Sequence, residues 1–73
     1  MFKSVERRYH KVDMWRTLNV GDVVLIGRRD GVVAFKVKIL NFSTYRKFVR
    51  VEVVDSGVVE WLDADDWVVL EKY

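Results

Sequence analysis

The chain has 73 residues, enough for one small domain whose core can barely offset the conformational entropy lost on folding. It contains no cysteine, which excludes disulfide bonds and thiolate metal sites and favours a reducing, cytoplasmic location. No apolar run approaches the ~20 residues that span a bilayer, so we expect a soluble protein without a membrane partner.

The net charge of +2 conceals a partition of charge along the chain. Between Arg28 and Arg50 there are seven basic residues and the single acid Asp30, whereas Asp55 to Glu71 holds six acids and no base. Such a partition can orient the encounter with a charged partner. The abundance of Lys, Arg and Glu, with few amide side chains, also leans towards the composition of thermophile proteins.

Residues 1 to 19 are predicted to form a basic N-terminal arm, either flexible or a short amphipathic helix. Its apolar residues recur at steps of three and four, as on one face of a helix; they are Phe2, Val5, Tyr9, Val12 and Trp15. Repulsion among Arg7, Arg8 and Lys11 opposes that helix, so both conformations stay open. These three cations and Trp15 are candidate contacts to a nucleic acid or a protein partner.

Five strands are predicted after the arm. The sequence from Arg28 to Val32 predicts a two-residue hairpin turn, because its Asp-Gly pair supplies the positive φ angles that a primed turn needs. A loop near residues 41–47 then leads into the third strand. The predicted pairs across these strands are Val24 with Val37, Ile26 with Phe35, Val37 with Val51, Ile39 with Val49, and Lys36 with Glu52.

The sequence Asp55-Ser56-Gly57 predicts the turn between the third and fourth strands. A two-residue turn would place Glu60 on the core face, so the alternation favours a three-residue turn with Gly57 left-handed. The core residues expected from this turn are Val51, Val53, Val59 and Trp61. Residues 63–66, Asp-Ala-Asp-Asp, predict a single capped 3-10 turn before a last strand over 67–70.

Five strands with a short turn before the fifth are the layout of an SH3-like barrel. Within that class, residues 49–70 resemble the second half of Tudor-type domains, and the matching residues are Val49, Val51, Val53, Asp55, Gly57, Glu60 and Asp66. We therefore expect a mostly β protein in which residues 20–73 form a five-stranded antiparallel SH3-like (Tudor-like) barrel. Ser56 stands where that family often has an aromatic residue, which argues against an aromatic cage for methylated ligands.

No catalytic constellation is apparent in the sequence. His10 is the only histidine and has no nucleophile beside it. The acidic residues near the fifth strand lack the pattern of a calcium loop, and capping explains them better. We therefore expect no enzymatic activity, no metal and no cofactor.

The hairpin from Lys36 to Arg50 interleaves cations with aromatic residues. Cations follow a phosphate backbone and aromatic faces stack on bases, so this mixture predicts weak or single-stranded binding of DNA or RNA. The candidate residues on the hairpin are Lys36, Lys38, Tyr45, Arg46, Lys47, Phe48 and Arg50.

A protein-interaction module is the competing prediction. The second face of the first three strands is more apolar than a solvated face should be, through Val23, Leu25, Ala34, Leu40, Phe48 and Val54. Either this face or the arm, with Trp15 as its anchor, would dock on a protein of nucleic-acid metabolism. A homodimer would cover the same face, and both functions stay open.

Overall fold

A computed structural model describes residues 14–31 and 33–73 of the chain. Its elements are the 3-10 helix η1 (Met14–Thr17), β1 (Val23–Arg28), β2 (Ala34–Phe42), the 3-10 helix η2 (Thr44–Arg46), β3 (Phe48–Val53), β4 (Val59–Asp63) and β5 (Trp67–Lys72). All five strands belong to one antiparallel sheet with the order β4-β3-β2-β1-β5. The predicted mostly β fold with five antiparallel strands is therefore confirmed, and the described part contains no α-helix.

β1 and β2 pair in the predicted register, with Ile26 opposite Phe35. The turn between them is of another type. Gly31 has a φ of 85° and its N–H donates to the Arg28 carbonyl at 2.8 Å, whereas Asp30 is not among the residues with positive φ. A primed turn needs positive φ at both central residues, so the predicted turn type is wrong although the register is right.

β3 is displaced by two residues from the predicted register with β2. Val37 lies opposite Val53, and Lys38 rather than Lys36 lies opposite Glu52. The same displacement sets Ile39 against Val51. Because side chains alternate with a period of two, a displacement of two residues leaves each of them on its predicted face.

The cause of the displacement lies where β2 ends. β2 continues to Phe42, with a register shift between Ile39 and Asn41, so the loop begins two residues later than predicted. Ser43 closes the hairpin, because its N–H donates to the Phe48 carbonyl at 2.9 Å and its Oγ accepts the Phe48 N–H at 2.8 Å.

The turn between β3 and β4 is one residue longer than predicted. Gly57 is left-handed as predicted, with a φ of 74°. The loop, however, runs over residues 54–57 and is closed by a hydrogen bond from the Val53 N–H to the Val58 carbonyl at 2.8 Å. A change of one residue moves every side chain of the following strand to the opposite face of the sheet.

The core assignment of Val59 and Trp61 is therefore wrong. These side chains are 43% and 52% exposed and lie on the side of the sheet away from the core. Glu60, which the prediction kept off the core face, lies on that face opposite Val51, at the open edge of the sheet.

The link between β4 and β5 is a single β-turn and not the predicted 3-10 turn. The Asp66 N–H donates to the Asp63 carbonyl at 3.0 Å, and the Asp63 carboxylate accepts the Asp65 N–H at 2.9 Å. One such bond closes a β-turn but is too short a run for a 3-10 helix. β5 then extends two residues beyond the predicted strand, to Lys72.

The core lies between the inner face of the sheet and η1. Its buried residues are Trp15, Leu18, Val24, Ile26, Val37, Ile39, Val49, Val51, Trp67 and Val69. Trp15, predicted as part of an arm, is 6% exposed, and its indole N–H donates to the Trp67 carbonyl at 3.0 Å. Residues 1–13, most of the predicted arm, lie outside the described residues.

Replacing Trp15 with alanine should lower the free energy of unfolding by ~3–5 kcal/mol, since the change removes a buried aromatic side chain from a small core. Trp15→Phe, which keeps most of the volume but loses the hydrogen bond to Trp67, should lie between wild type and Trp15→Ala. Urea denaturation measures both. The matched control is Val20→Ala at an exposed position, expected to change stability by less than ~0.5 kcal/mol. Equal midpoints for the alanine variants of Trp15 and Val20 would place Trp15 outside the core.

Candidate nucleic-acid interface

The outer face of the sheet is the side directed away from the core. Alternation along the strands and the observed register place on it Val23, Leu25, Lys36, Lys38, Arg50, Glu52, Val59 and Trp61. One cross-strand row runs from Lys38 through Glu52 to Val59, and the next row contains Arg50 and Trp61. The predicted mixture of apolar and basic side chains on this face is present.

Arg50 and Trp61 lie directly opposite each other on β3 and β4. The Cβ atoms of such a pair are about 4.5–5.5 Å apart, and Lys38 lies on the adjacent diagonal, since its own partner Glu52 is two residues from Arg50. Arg50 and Lys38 are both exposed, as is the Trp61 indole. An exposed indole flanked by cations is the combination that single-stranded nucleic-acid sites use for stacking and for phosphate contacts.

A contact between a cation and an aromatic ring lies at the other end of the outer face. The Lys36 Nζ is 4.4 Å from the centroid of the Tyr73 ring. The Tyr73 N–H donates to the Val23 carbonyl at 2.9 Å, which fixes the residue after β5. Tyr73 is itself exposed, so it offers a second aromatic surface beside a cation.

Sequence reasoning missed both of these aromatic residues. Trp61 was assigned to the core, because the face of β4 depends on the length of the loop before it. The loop before β4 has four residues and not three, and only an exact count of it would have placed Trp61 on the outer face. Tyr73 follows the last strand, and no pattern in the sequence associates it with Lys36.

Arg46, a predicted binding residue, contacts the protein itself. Its Nη1 donates to the carbonyls of Trp15 at 2.7 Å and Leu18 at 2.6 Å. The guanidinium carbon also lies 4.2 Å from the centroid of the Phe42 ring. Arg46 therefore joins η1 to the end of the β2–β3 hairpin, and its positive charge is held against backbone carbonyls.

Lys47 and Phe48, two more predicted residues of this loop, lie beside the acidic turn at 63–66. The Lys47 Nζ is 4.0 Å from the Asp65 carboxylate and 5.9 Å from the centroid of the Phe48 ring. Phe48 lies opposite Asp63 on β4. Tyr45 is 97% exposed, with a φ of 59°. The nearby carboxylates reduce the positive potential at this end of the hairpin, so the strand residues offer the better anion site.

Of the four predicted binding residues in the N-terminal arm, the structure describes only Trp15. Trp15 is buried in the core, so it is not exposed to a partner. Arg7, Arg8 and Lys11 lie outside the described residues.

A cavity of about 220 Å³ opens on the inner face near the β3–β4 turn. Its lining residues are Ile26, Phe35, Val37, Val51, Val53, Ser56, Val58, Glu60, Leu62 and Trp67. The rings of Phe35 and Trp67 are in tilted contact, with centroids 6.0 Å apart. Glu60 is the only charged residue in this lining, so the cavity offers apolar contact and a single carboxylate.

Over residues 14–31 and 33–73, no group of three or more His, Cys, Asp or Glu residues is arranged to hold a metal ion. In the same part of the chain no helix has the length and apolar character needed to cross a membrane. Comparison of the chain with protein-family models, curated proteins and solved structures found no match. Any function assigned to the outer face therefore depends on its geometry and charge.

Arg46→Ala should destabilise the protein by ~1.5–3 kcal/mol, because two carbonyls would be deprived of a charged hydrogen-bond donor. Lys47→Ala is the matched control at the next position. It removes an exposed ion pair and a long contact with the Phe48 ring, together worth ~0–1 kcal/mol. Thermal or urea unfolding measures both, and a Lys47 variant less stable than the Arg46 variant would contradict the structural assignment of Arg46.

Proposed function

We propose that the protein is a small non-enzymatic module that binds single-stranded DNA or RNA weakly through the outer face of its sheet. The observation that carries this proposal is the pairing of Arg50 with an exposed Trp61 across β3 and β4, next to Lys38. A base would stack on the indole while its phosphates contact the two cations.

The proposal includes a curled fold. We propose that the sheet curls into an SH3-like barrel in which β4 and β5 meet at their turn without pairing along their length, with the outer face as its convex surface. In support of this curling, the turn at 63–66 joins the two edge strands and hydrogen-bonds to both hairpins, to Lys47 through the Ala64 N–H and to Arg29 through the Asp66 carbonyl. A barrel of this size fills its interior with side chains, which leaves its outer surface for ligands.

The charge balance favours weak binding. Lys36, Lys38 and Arg50 supply positive charge on the outer face, but Glu52 lies between Lys38 and Val59 in the same row. The net charge of the whole chain is only +2. A protein that coats duplex DNA needs a more strongly basic surface, whereas base stacking supports binding to single strands at lower charge.

A second function has one observation in its favour, the cavity on the inner face. Phe35 and Val58 are 41% and 49% exposed, so part of its apolar lining is open to solvent. A protein partner that inserts an apolar side chain there would make this an interaction module for a protein of nucleic-acid metabolism. Val58→Asp should then abolish capture of that partner and leave binding of oligonucleotides unchanged.

Arg50→Glu should weaken binding to a labelled single-stranded oligonucleotide and should reduce the slope of log affinity against log salt by ~0.7 for each phosphate that is no longer neutralised. Arg28→Glu is the matched control: it changes the charge equally, but Arg28 lies 5.6 Å over the Trp67 ring, away from the outer face. Fluorescence anisotropy at several salt concentrations measures both. Equal weakening by the two variants would mean that only the overall charge matters.

Trp61→Ala should cost ~1–3 kcal/mol of binding free energy if a base stacks on the indole. Tyr45→Ala tests the most exposed aromatic residue of the loop in the same assay and should have the smaller effect. Because Trp15 and Trp67 are buried, quenching of tryptophan fluorescence by the oligonucleotide reports mainly on Trp61. Full quenching in the Trp61→Ala variant would contradict stacking at this position.

A further inference from the structure

β4 is an edge of the sheet with unpaired backbone groups. Hydrogen bonds at its two ends establish the phase of its pairing with β3: Val53 N–H to Val58 carbonyl, and Ala64 N–H to Lys47 carbonyl. Hydrogen-bonded and non-hydrogen-bonded pairs alternate along an antiparallel ladder. Even-numbered residues from 58 to 64 therefore direct their N–H and C=O groups to β3, and odd-numbered residues direct theirs outward.

The outward groups belong to Val59, Trp61 and Asp63. Over the described part of the chain, none of these N–H groups has a hydrogen-bond partner, and the Asp63 carbonyl accepts the turn bond from Asp66. The side chains along this edge are apolar and accessible, since Val58, Val59 and Trp61 are all exposed. β4 contains neither lysine nor proline, the residues that commonly protect an edge strand from pairing.

The other edge of the sheet is protected. The Trp67 carbonyl of β5 accepts the Trp15 indole N–H from η1, which packs against that strand. β5 ends in Glu71 and Lys72, and lysine in particular discourages pairing at an edge. Among the strands of the described residues, only β4 therefore presents an open template for another strand.

We propose that β4 pairs antiparallel with β4 of a second copy of this chain, in a two-fold dimer centred on Trp61. In this arrangement Trp61 lies opposite the partner's Trp61, and Val59 lies opposite the partner's Asp63. These are the residues whose backbone groups point outward, so each pair can exchange hydrogen bonds. A two-fold axis makes the surface self-complementary, as a homodimer requires.

Charge disfavours the neighbouring register that is centred on Glu60. Centring the axis on Glu60 would set two carboxylates directly opposite each other on the inner face, and like charges in that position are destabilising. Centring it on Trp61 sets Glu60 opposite the partner's Leu62 and brings two indoles together on the outer face. The paired sheets then form one continuous outer surface, in which each Trp61 remains next to its own Arg50.

The dimer is tested by sedimentation equilibrium of the full chain over a range of concentrations. Wild type should show a reversible monomer–dimer equilibrium. Val59→Lys and Val59→Pro should be monomeric, since lysine opposes edge pairing and proline at 59 removes an outward N–H without touching the β3 ladder. Val20→Lys, with the same added charge at an exposed site outside β4, should dimerise like wild type.

A wild-type protein that stays monomeric at millimolar concentration would overturn the proposal, as would dimers that persist in both Val59 variants. Far-UV circular dichroism establishes whether the variants are folded. If Val59→Pro does not fold, Val59→Lys alone tests the dimer. Oligonucleotide binding is measured separately on wild type at concentrations where the chain is monomeric, because Val59→Lys adds a cation to the outer face. Binding by that monomer leaves the nucleic-acid function standing whatever the outcome for the dimer.

The register is tested by cross-linking, because the chain has no cysteine of its own. Trp61→Cys lies on the proposed two-fold axis and should form a disulfide-linked dimer readily under mild oxidation. Glu60→Cys, whose partner in this register is Leu62, should form one slowly. Faster cross-linking of Glu60→Cys than of Trp61→Cys, or equal rates for the two, would overturn the register.

Discussion

Two backbone hydrogen bonds attach the turn at 63–66 to the two hairpins of the sheet. The Ala64 N–H donates to the Lys47 carbonyl and the Arg29 N–H donates to the Asp66 carbonyl, both at 2.9 Å. The Arg29 Nε adds a bond to the Asp65 carbonyl at 2.7 Å. Since only this turn separates β4 from β5, the end of one edge strand lies close to the start of the other. The inner faces of β1, β2 and β3 supply most of the buried core.

A sheet of this size still needs a cover for its inner face, and η1 supplies it. Trp15 fills the space next to Trp67, and Leu18 is fully buried below the sheet. Arg46 donates to the Trp15 and Leu18 carbonyls at the end of this short helix, so a loop residue of the β2–β3 hairpin holds the cover in place. A chain of 73 residues has few buried side chains, which makes the packing of η1 a large share of its stability.

The same geometry divides the polar chemistry of the molecule between its surfaces. The inner cavity contains a single carboxylate, while the outer face carries the cations of β2 and β3 with Trp61 beside them. The acidic residues cluster where the chain must turn, and there the Asp63 carboxylate caps a backbone N–H. Glu52 lies among the cations of β2 and β3, but several acids lie in turns, which lets a nearly neutral protein present a basic, aromatic surface.

The sequence by itself determined the features that depend on neighbouring residues. The antiparallel β fold, the pairing of Ile26 with Phe35 and the left-handed Gly57 all follow from alternation and turn residues within a few positions. Only the tertiary structure decided the face of Trp61, because one additional loop residue, closed by the Val53–Val58 hydrogen bond, inverts β4. It also decided the burial of Trp15, whose partner Trp67 is 52 residues away along the chain. Local patterns do not record such distant contacts, which form only when the whole core closes.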